Sequence, residues 1–354
     1  MKSHFSRLAL VFLTALSLGG AAFCDEPGKE LPAQAGPSGY HLIKKVPLAD
    51  DGFWDYLSVD SAARRLYVSR GNRVTVVDMD SYAVTGEVKD TAGVHGAAIA
   101  PELGRGFTSN GKSNTVTIFD TASLKPLGEV KTGQGPDCII YDPASSRAFA
   151  FDGKSKEATA IDASSGAVAG TVALAGRPEF ATSDGKGRVY VNLEDKSQVA
   201  VIDSLALSVT AQWSLSPCEE PSGMAIDAAH MRLFIGCSNK MMAIVDAGTG
   251  VVISTMPIGD HVDANTFDPG TGYAFSSNGD GTLTVVHEDS PDKFSVVDNV
   301  VTQKGARTMA LDPKTHNVFL MAASYGPTPA PTAEHPHSRP PVLPGSVVLL
   351  VFGR

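Results

Sequence analysis

The stretch DCIIYDPASSRAFAFDGKSKEATAIDASSGAVAGTVAL, residues 137–174, decides the fold. It holds four short runs of apolar and small residues, and turn-forming Asp, Gly, Pro and Ser residues separate each run from the next. Short runs of this kind between turn signals are typical of β-strands. The stretch therefore predicts four consecutive strands.

The same arrangement recurs seven times from residue 40 onward, with a period of about 42 residues. The first recurring column is a run that ends in Asp or a substitute: DYLSVD at 55–60, GAAIA at 96–100, DCIIYD at 137–142, EFATSD at 179–184, SGMAID at 222–227, DANTFD at 263–268 and RTMALD at 307–312. The second column is an aromatic residue in the next run: Tyr67, Phe107, Phe149, Tyr190, Phe234, Phe275 and Phe319. The third column ends a third run: Asp78, Asp120, Asp162, Asp203, Asp246 and His287.

Four short strands per repeat, repeated seven times, predict an all-β protein, a seven-bladed β-propeller with four-stranded blades. A solenoid is the alternative, but its repeats are usually shorter or helical, and no segment here shows a helical period. The aromatic column is expected to pack between neighbouring blades. The Asp column is expected to accept hydrogen bonds from backbone N–H groups in hairpin turns. Neither the aromatic column nor the Asp column is therefore interpreted as catalytic.

The two ends of the repeat region predict how the ring closes. The last repeat ends with the run SVVLLVF at 346–352, and no fourth strand follows it. Residues 40–48 form a lone strand before the first complete repeat. The N-terminal strand is therefore expected to complete the last blade, which leaves no open sheet edge and makes residues 40–354 a single domain.

Three motifs connect the chain with a known family. The segments LYVS at 66–69, VYVN at 189–192 and LFIG at 233–236 resemble YVTN-type β-propeller repeats. From residue 40 onward the chain is similar to the exported YncE-like group of that family. This resemblance implies the propeller fold and says little about activity, because related propellers include lactonases as well as binding and surface proteins.

Residues 1–24 predict a secretory signal peptide: a basic start, an apolar core at 8–18 and small residues after it. The apolar run is shorter than the roughly 20 residues of a transmembrane helix. Cleavage after Ala22 or after Cys24 remains open, and lipidation of Cys24 is a weaker alternative because a bulky residue precedes it. Residues 25–39 are expected to be a flexible tether. The protein is therefore expected in the periplasm or outside the cell.

The net charge disfavours several kinds of partner, and no local motif identifies an activity. The chain has 29 Lys and Arg against 38 Asp and Glu, a net charge of −9, which disfavours nucleic acids and anionic membranes as partners. It contains no CxxCH, GxSxG or HExxH motif, no Walker loop and no complete DxDxDG calcium loop. Any site must therefore be assembled from single residues on different blades.

The cysteines carry a structural hypothesis. Cys138 lies in an inner strand and is expected to be a small buried apolar residue. Cys218 precedes the inner strand of the fifth blade and Cys237 ends its second strand, on the same face. In an oxidising compartment these two could form a disulfide that closes a loop of about 20 residues.

The seventh repeat contains a proline-rich insertion at 325–345. Proline favours extended, unpaired backbone, so the insertion is expected to be a loop. It joins the second and third strands of its blade, on the face where the inner strands begin, and could cover the channel as a lid. His335 and His337 could ligate a metal, although exposed and solvated histidines are the simpler expectation.

The starts of the seven inner strands provide the candidate site. Five residues before the end of each first-column run stand Asp55, His95, Asp137, Glu179, Ser222, Asp263 and Arg307. Inner strands surround the central channel, so these positions are expected to form a ring at one mouth. Clustered carboxylates raise one another's pKa unless a cation or a proton is shared. The neighbouring Phe53 and Trp54 could stack on an organic ligand or plug the first blade.

Two function classes remain. In the first, the protein is an exported binding or scaffold module, expected to be a monomer, that takes a small molecule, an envelope component or a protein. Its carboxylates would hold a divalent cation such as calcium. In the second, it is a lactonase-like hydrolase in which Arg307, opposite Glu179 and His95, binds an anionic substrate beside an acid–base pair. A quinone- or haem-dependent oxidoreductase is disfavoured because its ligation motifs are missing.

Overall fold

The computed structural model describes residues 35–48, 52–329 and 340–354. Within these ranges the strands form seven four-stranded antiparallel sheets, and the two helices are single 3₁₀ turns at Pro101–Leu103 and Glu194–Lys196. This is a seven-bladed β-propeller, which confirms the predicted fold class.

The strands follow the repeat. The first described strand is β1 (His41–Pro47). Blades one to three consist of β2 (Leu57–Asp60), β3 (Arg65–Ser69), β4 (Val74–Asp78), β5 (Val84–Val88), β6 (Val94–Ala100), β7 (Arg105–Asn110), β8 (Thr115–Asp120), β9 (Pro126–Lys131), β10 (Pro136–Asp142), β11 (Arg147–Asp152), β12 (Glu157–Asp162) and β13 (Val168–Ala173).

The remaining blades continue in the same order. Blades four to six consist of β14 (Pro178–Ser183), β15 (Arg188–Leu193), β16 (Gln198–Asp203), β17 (Ser208–Ser214), β18 (Pro221–Asp227), β19 (Arg232–Cys237), β20 (Met241–Asp246), β21 (Val252–Pro257), β22 (Val262–Asp268), β23 (Tyr273–Asn278), β24 (Thr282–Ser290) and β25 (Lys293–Val301). Blade seven contains β26 (Met309–Asp312), β27 (Asn317–Ala322) and β28 (Val348–Gly353), with β1 as its fourth strand.

Each blade is buried in its middle and exposed at its outer edge. The second and third strands pack against neighbouring blades on both faces, so runs such as VTIFD in β8 are almost continuously buried. The outer strands are polar or alternating, as in SVTAQWS of β17. The aromatic column is fully buried, which confirms its expected role as core: Tyr67, Phe107, Phe149, Tyr190, Phe234, Phe275 and Phe319.

The third-column aspartates act as turn residues, as predicted. Oδ1 of Asp120 accepts hydrogen bonds from the backbone N and the hydroxyl of Ser123, at 2.7 and 2.6 Å. Asp162 bonds Ser165 in the same way. In the sixth blade His287 replaces the aspartate, and its Nδ1 lies 2.7 Å from Oδ1 of Asp289.

The ring closes through β1. This strand pairs antiparallel with β28, from His41 opposite Gly353 to Pro47 opposite Val348. Tyr40 precedes the strand, is 1% exposed, and donates its hydroxyl to the backbone carbonyl of His316 at 2.8 Å. Closure by the N-terminal strand is thereby confirmed.

A polar contact reinforces the same seam between blades seven and one. The buried carboxylate of Asp312, at the end of β26, accepts hydrogen bonds from Ser61 and Arg64 of blade one, each at 2.5 Å. Arg64 also pairs with the exposed Asp80 at 2.7 Å. Burial alone would raise the pKa of Asp312, but the bonds from Ser61, Arg64 and Thr315 outweigh it and bring the pKa to about 2.

Cys218 and Cys237 form a disulfide in blade five, which confirms the hypothesis drawn from their spacing. Closing a loop of this length stabilises a fold by about 3 kcal/mol in the chain-entropy account. Cys138 is free and buried, also as expected.

The expectations about the N-terminus concern residues outside the described ranges. The signal peptide at 1–24 and most of the tether at 25–39 lie there, so both stay predictions. Within the described ranges, no helix has the length and hydropathy needed to cross a bilayer.

We expect Asp312→Asn to weaken the closing seam. The substitution removes the charge that Arg64 and Ser61 bind, so the free energy of unfolding in urea should fall by about 1–3 kcal/mol at neutral pH. An unfolded aspartate titrates near pH 3.9, so the difference should persist above about pH 4. It should fade as the pH falls towards the folded pKa of about 2.

The matched control is Asp80→Asn, which removes the other carboxylate bound to Arg64. The Asp80 side chain is 65% exposed, so its loss should lower the free energy of unfolding by less than about 1 kcal/mol. Equal losses for the two variants would contradict the assigned role of Asp312.

Candidate functional site

All seven positions at the starts of the inner strands line one cavity of about 410 Å³. We call it the mouth cavity, since it lies where the inner strands enter the central channel. The structure therefore brings together every residue that sequence reasoning grouped: Asp55, His95, Asp137, Glu179, Ser222, Asp263 and Arg307. Whether these residues bind a ligand stays a prediction.

A repeated irregularity in the inner strands positions most of these side chains. In blades two to six the pairing of the inner strand with its neighbour is interrupted at the same place, for example between Val94 and Ala97 and between Pro136 and Ile139. His95, Asp137 and three equivalent residues fall inside these interruptions. β-Bulges of this kind redirect side chains and are common beside functional sites.

Aromatic side chains narrow the channel beneath the cavity. Tyr56 of blade one and Phe180 of blade four follow two of the ring residues, and their ring centroids are 5.2 Å apart. The hydroxyl of Tyr56 donates a hydrogen bond to the backbone carbonyl of Glu179 at 3.2 Å. The cavity is therefore a polar cup above an aromatic layer.

His95 stands between two carboxylates. Its Nδ1 lies 2.6 Å from Oδ2 of Asp55 and 3.3 Å from Oδ1 of Asp137. These three side chains offer ligand atoms within 4.8 Å of one another, so they could hold a metal ion. Burial works to lower the pKa of His95, but the hydrogen bond to Asp55 and the nearby acidic charges raise it on balance.

Arg307 pairs with a carboxylate of the mouth cavity: its Nε lies 3.2 Å from Oδ2 of Asp263. Its role in binding an anionic substrate stays a prediction. Glu179 has a different cationic neighbour: Nη1 of Arg177 lies 3.7 Å from its Oε2, while Nη2 of Arg177 contacts Glu194. The equivalent positions in the repeats do not show which side chains pair with one another, so the sequence could not predict these ion pairs.

Burial is the main cause of the raised pKa values in the mouth cavity. It raises the pKa of Asp137 and of Asp263 to about 6, against the lowering effects of His95 and Arg307, respectively. It raises the pKa of Glu179 to about 8, and the charge of Asp137 adds to the rise. The sequence predicted that the carboxylates raise one another's pKa by mutual repulsion. That effect is present, but it is smaller than the effect of burial.

The cavity also contains residues outside the predicted ring. Glu194 and Ser238 follow second strands, while Glu220 and His261 precede inner strands. Loops between second and third strands lie on the mouth face in every blade, not only in the seventh. Applying that rule to all blades would have found the first two residues.

A second, less polar cavity of about 370 Å³ adjoins the first, since Phe53, Arg307 and Thr308 line both. Tyr325 and Val342, from the two ends of the 325–345 loop, also line it. The described ends of that loop therefore reach the mouth face, as expected. A lid formed by its centre, with His335 and His337, lies outside the described residues.

The two aromatic residues before Asp55 have different roles. Trp54 is 8% exposed and belongs to the hydrophobic core shared by blades seven and one. Phe53 is 49% exposed and lines both cavities. Only Phe53 therefore offers a largely open ring to a ligand.

Comparison with known proteins supports the fold without assigning an activity. No family model matches the chain, and no curated protein matches it. Hydrazine synthase of Kuenenia stuttgartiensis has a chain that is 15% identical, with a TM-score of 0.67 over 83% of this chain and 95% of that chain. A chain of a mitotic checkpoint complex is 14% identical, with a TM-score of 0.69 over 97% of this chain and 99% of that one. At such identities the likeness shows the fold alone.

We expect Glu179→Gln to change how stability depends on pH. An unfolded glutamate titrates near pH 4.3, whereas folding raises the pKa of Glu179 to about 8. A raised carboxyl pKa favours the folded state below the unfolded pKa, and this advantage disappears as the pH rises through the folded pKa. The variant should therefore gain stability relative to the wild type between about pH 4.5 and 8.

Urea unfolding at several pH values measures this difference. The control is Glu129→Gln, which changes an exposed residue of β9 and should leave the profile unchanged. Parallel wild-type and Glu179→Gln profiles would show that Glu179 is not buried as described.

Proposed function

We propose that this protein is a binding protein whose mouth cavity takes a small ligand with a positively charged centre, either a divalent metal ion or an organic ammonium group. The observation that carries the proposal is the charge of the cavity. Among the residues that the structure describes, six carboxylates line it: Asp55, Asp137, Glu179, Glu194, Glu220 and Asp263. The cationic groups among the same described residues are Arg307 and, when protonated, His95 and His261.

A bound cation would relieve an unfavourable arrangement. The side chains of Glu179 and Asp263 are only 19% and 20% exposed, and burial disfavours their ionised forms. A ligand with positive charge restores the ionised forms and binds best to them. Binding should therefore release protons and strengthen as the pH rises from about 5 to 8.

For a metal ion, the first ligands would be Asp55, His95 and Asp137. Carboxylates alone suit an oxygen-ligand ion such as calcium. The imidazole between them favours a borderline ion such as zinc instead. For an organic ammonium compound, the open ring of Phe53 offers a face for a cation–π contact.

The wider context of the proposal comes from the sequence. The basic start and apolar core of residues 1–24 support export, and the LYVS, VYVN and LFIG motifs support a place among YVTN-type propellers. A rigid ring with a concave mouth is suited to a binding or scaffold role in the envelope.

We expect isothermal titration calorimetry to detect the ligand class. One arm uses zinc, manganese and calcium chlorides, and the other uses choline and putrescine. At least one of these probes should bind the wild type. Asp55→Asn/Asp137→Asn should weaken that binding at least about tenfold, because it removes the two carboxylates that contact His95 and would bind the cation.

The control is Asp80→Asn/Glu129→Gln, which removes two carboxylates from the outer surface and changes the net charge equally. It should bind like the wild type. Equal binding by the wild type and the mouth variant, in both arms, would contradict the proposal.

Hydrolysis of a lactone or ester is a second candidate, favoured by the 2.6 Å contact of Asp55 with His95. Asp55 would orient His95 as a general base for water, and Glu179, with its pKa near 8, would be a proton donor at neutral pH. Turnover of a lactone and ester panel that disappears in His95→Gln would favour this candidate. No turnover above the protein-free rate, with or without added divalent ions, would remove it.

A further inference from the structure

A second cluster of acidic and imidazole groups lies far from the mouth cavity. Asp227 ends the inner strand β18 of blade five, and His230 lies in the hairpin that follows it. Glu288 comes from the third strand of blade six, β24. Asp227 is five residues along β18 from the mouth residue Ser222, or about 16 Å away at 3.3 Å per residue. The cluster therefore lies on the opposite face, at the junction of two blades.

The three side chains converge on one point. Nδ1 of His230 lies 2.7 Å from Oδ2 of Asp227 and 2.9 Å from Oε1 of Glu288. One ligand atom from each residue falls within 4.8 Å of the others. Because two blades contribute, the contact is part of the blade interface.

The two carboxylates are buried with little positive charge near them. The side chains of Asp227 and Glu288 are 4% and 3% exposed, while His230 is 51% exposed. Within the described ranges, the one donor close to the carboxylate of Glu288 is Nδ1 of His230, which also contacts Asp227. Within the described ranges, neither carboxylate forms an ion pair with a lysine or an arginine. A buried carboxylate is costly unless it is paired or coordinates a metal.

At three other blade junctions, the next blade donates a hydrogen bond to the equivalent aspartate. Asp142 accepts a hydrogen bond from Ser183 of the next blade at 2.6 Å. Asp312 is bound by Ser61 and Arg64, as described above, and Asp268 by Nδ1 of His316 of the next blade, at 2.8 Å. At the junction of blades five and six, the described residues of the next blade contribute no hydrogen-bond donor to Asp227. They contribute a second carboxylate instead, that of Glu288.

We propose that Asp227, His230 and Glu288 bind a divalent transition-metal ion that joins blades five and six. Two carboxylate oxygens and one imidazole nitrogen suit an ion such as Zn²⁺ or Co²⁺ better than calcium or magnesium. The ion supplies the positive charge that the two buried carboxylates lack. Ligand atoms around tetrahedral zinc are about 3.3 Å apart, so His230 needs only a small outward shift, which its exposed hairpin permits. Water can complete the coordination from the exposed side of His230.

The test uses the full chain in the Asp55→Asn/Asp137→Asn background, which removes the metal ligands of the mouth cavity. Zinc or cobalt chloride is added, and both affinity and thermal unfolding are measured. We expect one equivalent of metal to bind and to raise the unfolding midpoint. Glu288→Gln and His230→Gln should each weaken binding at least about tenfold and remove most of the shift. Bound Co²⁺ should also show visible absorption that is lost in both variants.

The matched control is His316→Gln, which removes a histidine that contacts a single buried carboxylate at the next junction. It should bind metal like its parent. Two results would overturn the proposal: no metal-dependent shift in the parent, or equal shifts in the parent, Glu288→Gln and His230→Gln. Because the mouth cavity is disabled throughout, failure here is separate from failure of the proposed function.

Discussion

The pairing of β1 with β28 is the constraint on which the rest of the structure depends. Hydrogen bonds between these strands join the two ends of the described propeller into one closed ring. The same seam holds the buried Asp312 against Ser61 and Arg64. Closure fixes the distances between all seven inner strands. It is therefore the reason that residues as distant in sequence as Asp55 and Arg307 line one cavity.

Closure of the ring also buries several carboxylates together at the mouth of the channel. Bulges at the starts of five inner strands place polar side chains in a cup above the Tyr56–Phe180 contact. Burial there raises the pKa of Glu179 to about 8 and that of Asp263 to about 6. Perturbed pKa values of this kind also occur in the active and binding sites of other proteins. The cluster at blades five and six shows the same shortage of positive charge on the other face.

The repeat pattern was enough to predict the fold and the members of the ring. A period of about 42 residues fixes which residue starts each inner strand, and symmetry then brings those residues together. The pairing partners could not be predicted, because they depend on the directions of individual side chains: Arg307 pairs with Asp263, and Arg177 with Glu179. The Asp227–Glu288 contact was also missed, since it joins the inner strand of one blade to the third strand of the next, outside any single column.

Native mass spectrometry of the protein, purified without chelators, tests the central claim most directly. The account predicts that the wild type retains additional mass from a metal ion or a small organic cation. A matching portion of that mass should be absent from Asp55→Asn/Asp137→Asn and should be released from the wild type at pH 4, where Asp137 and Glu179 are protonated. Identical bound masses in the two proteins, or a retained ligand that is an anion, would contradict the account.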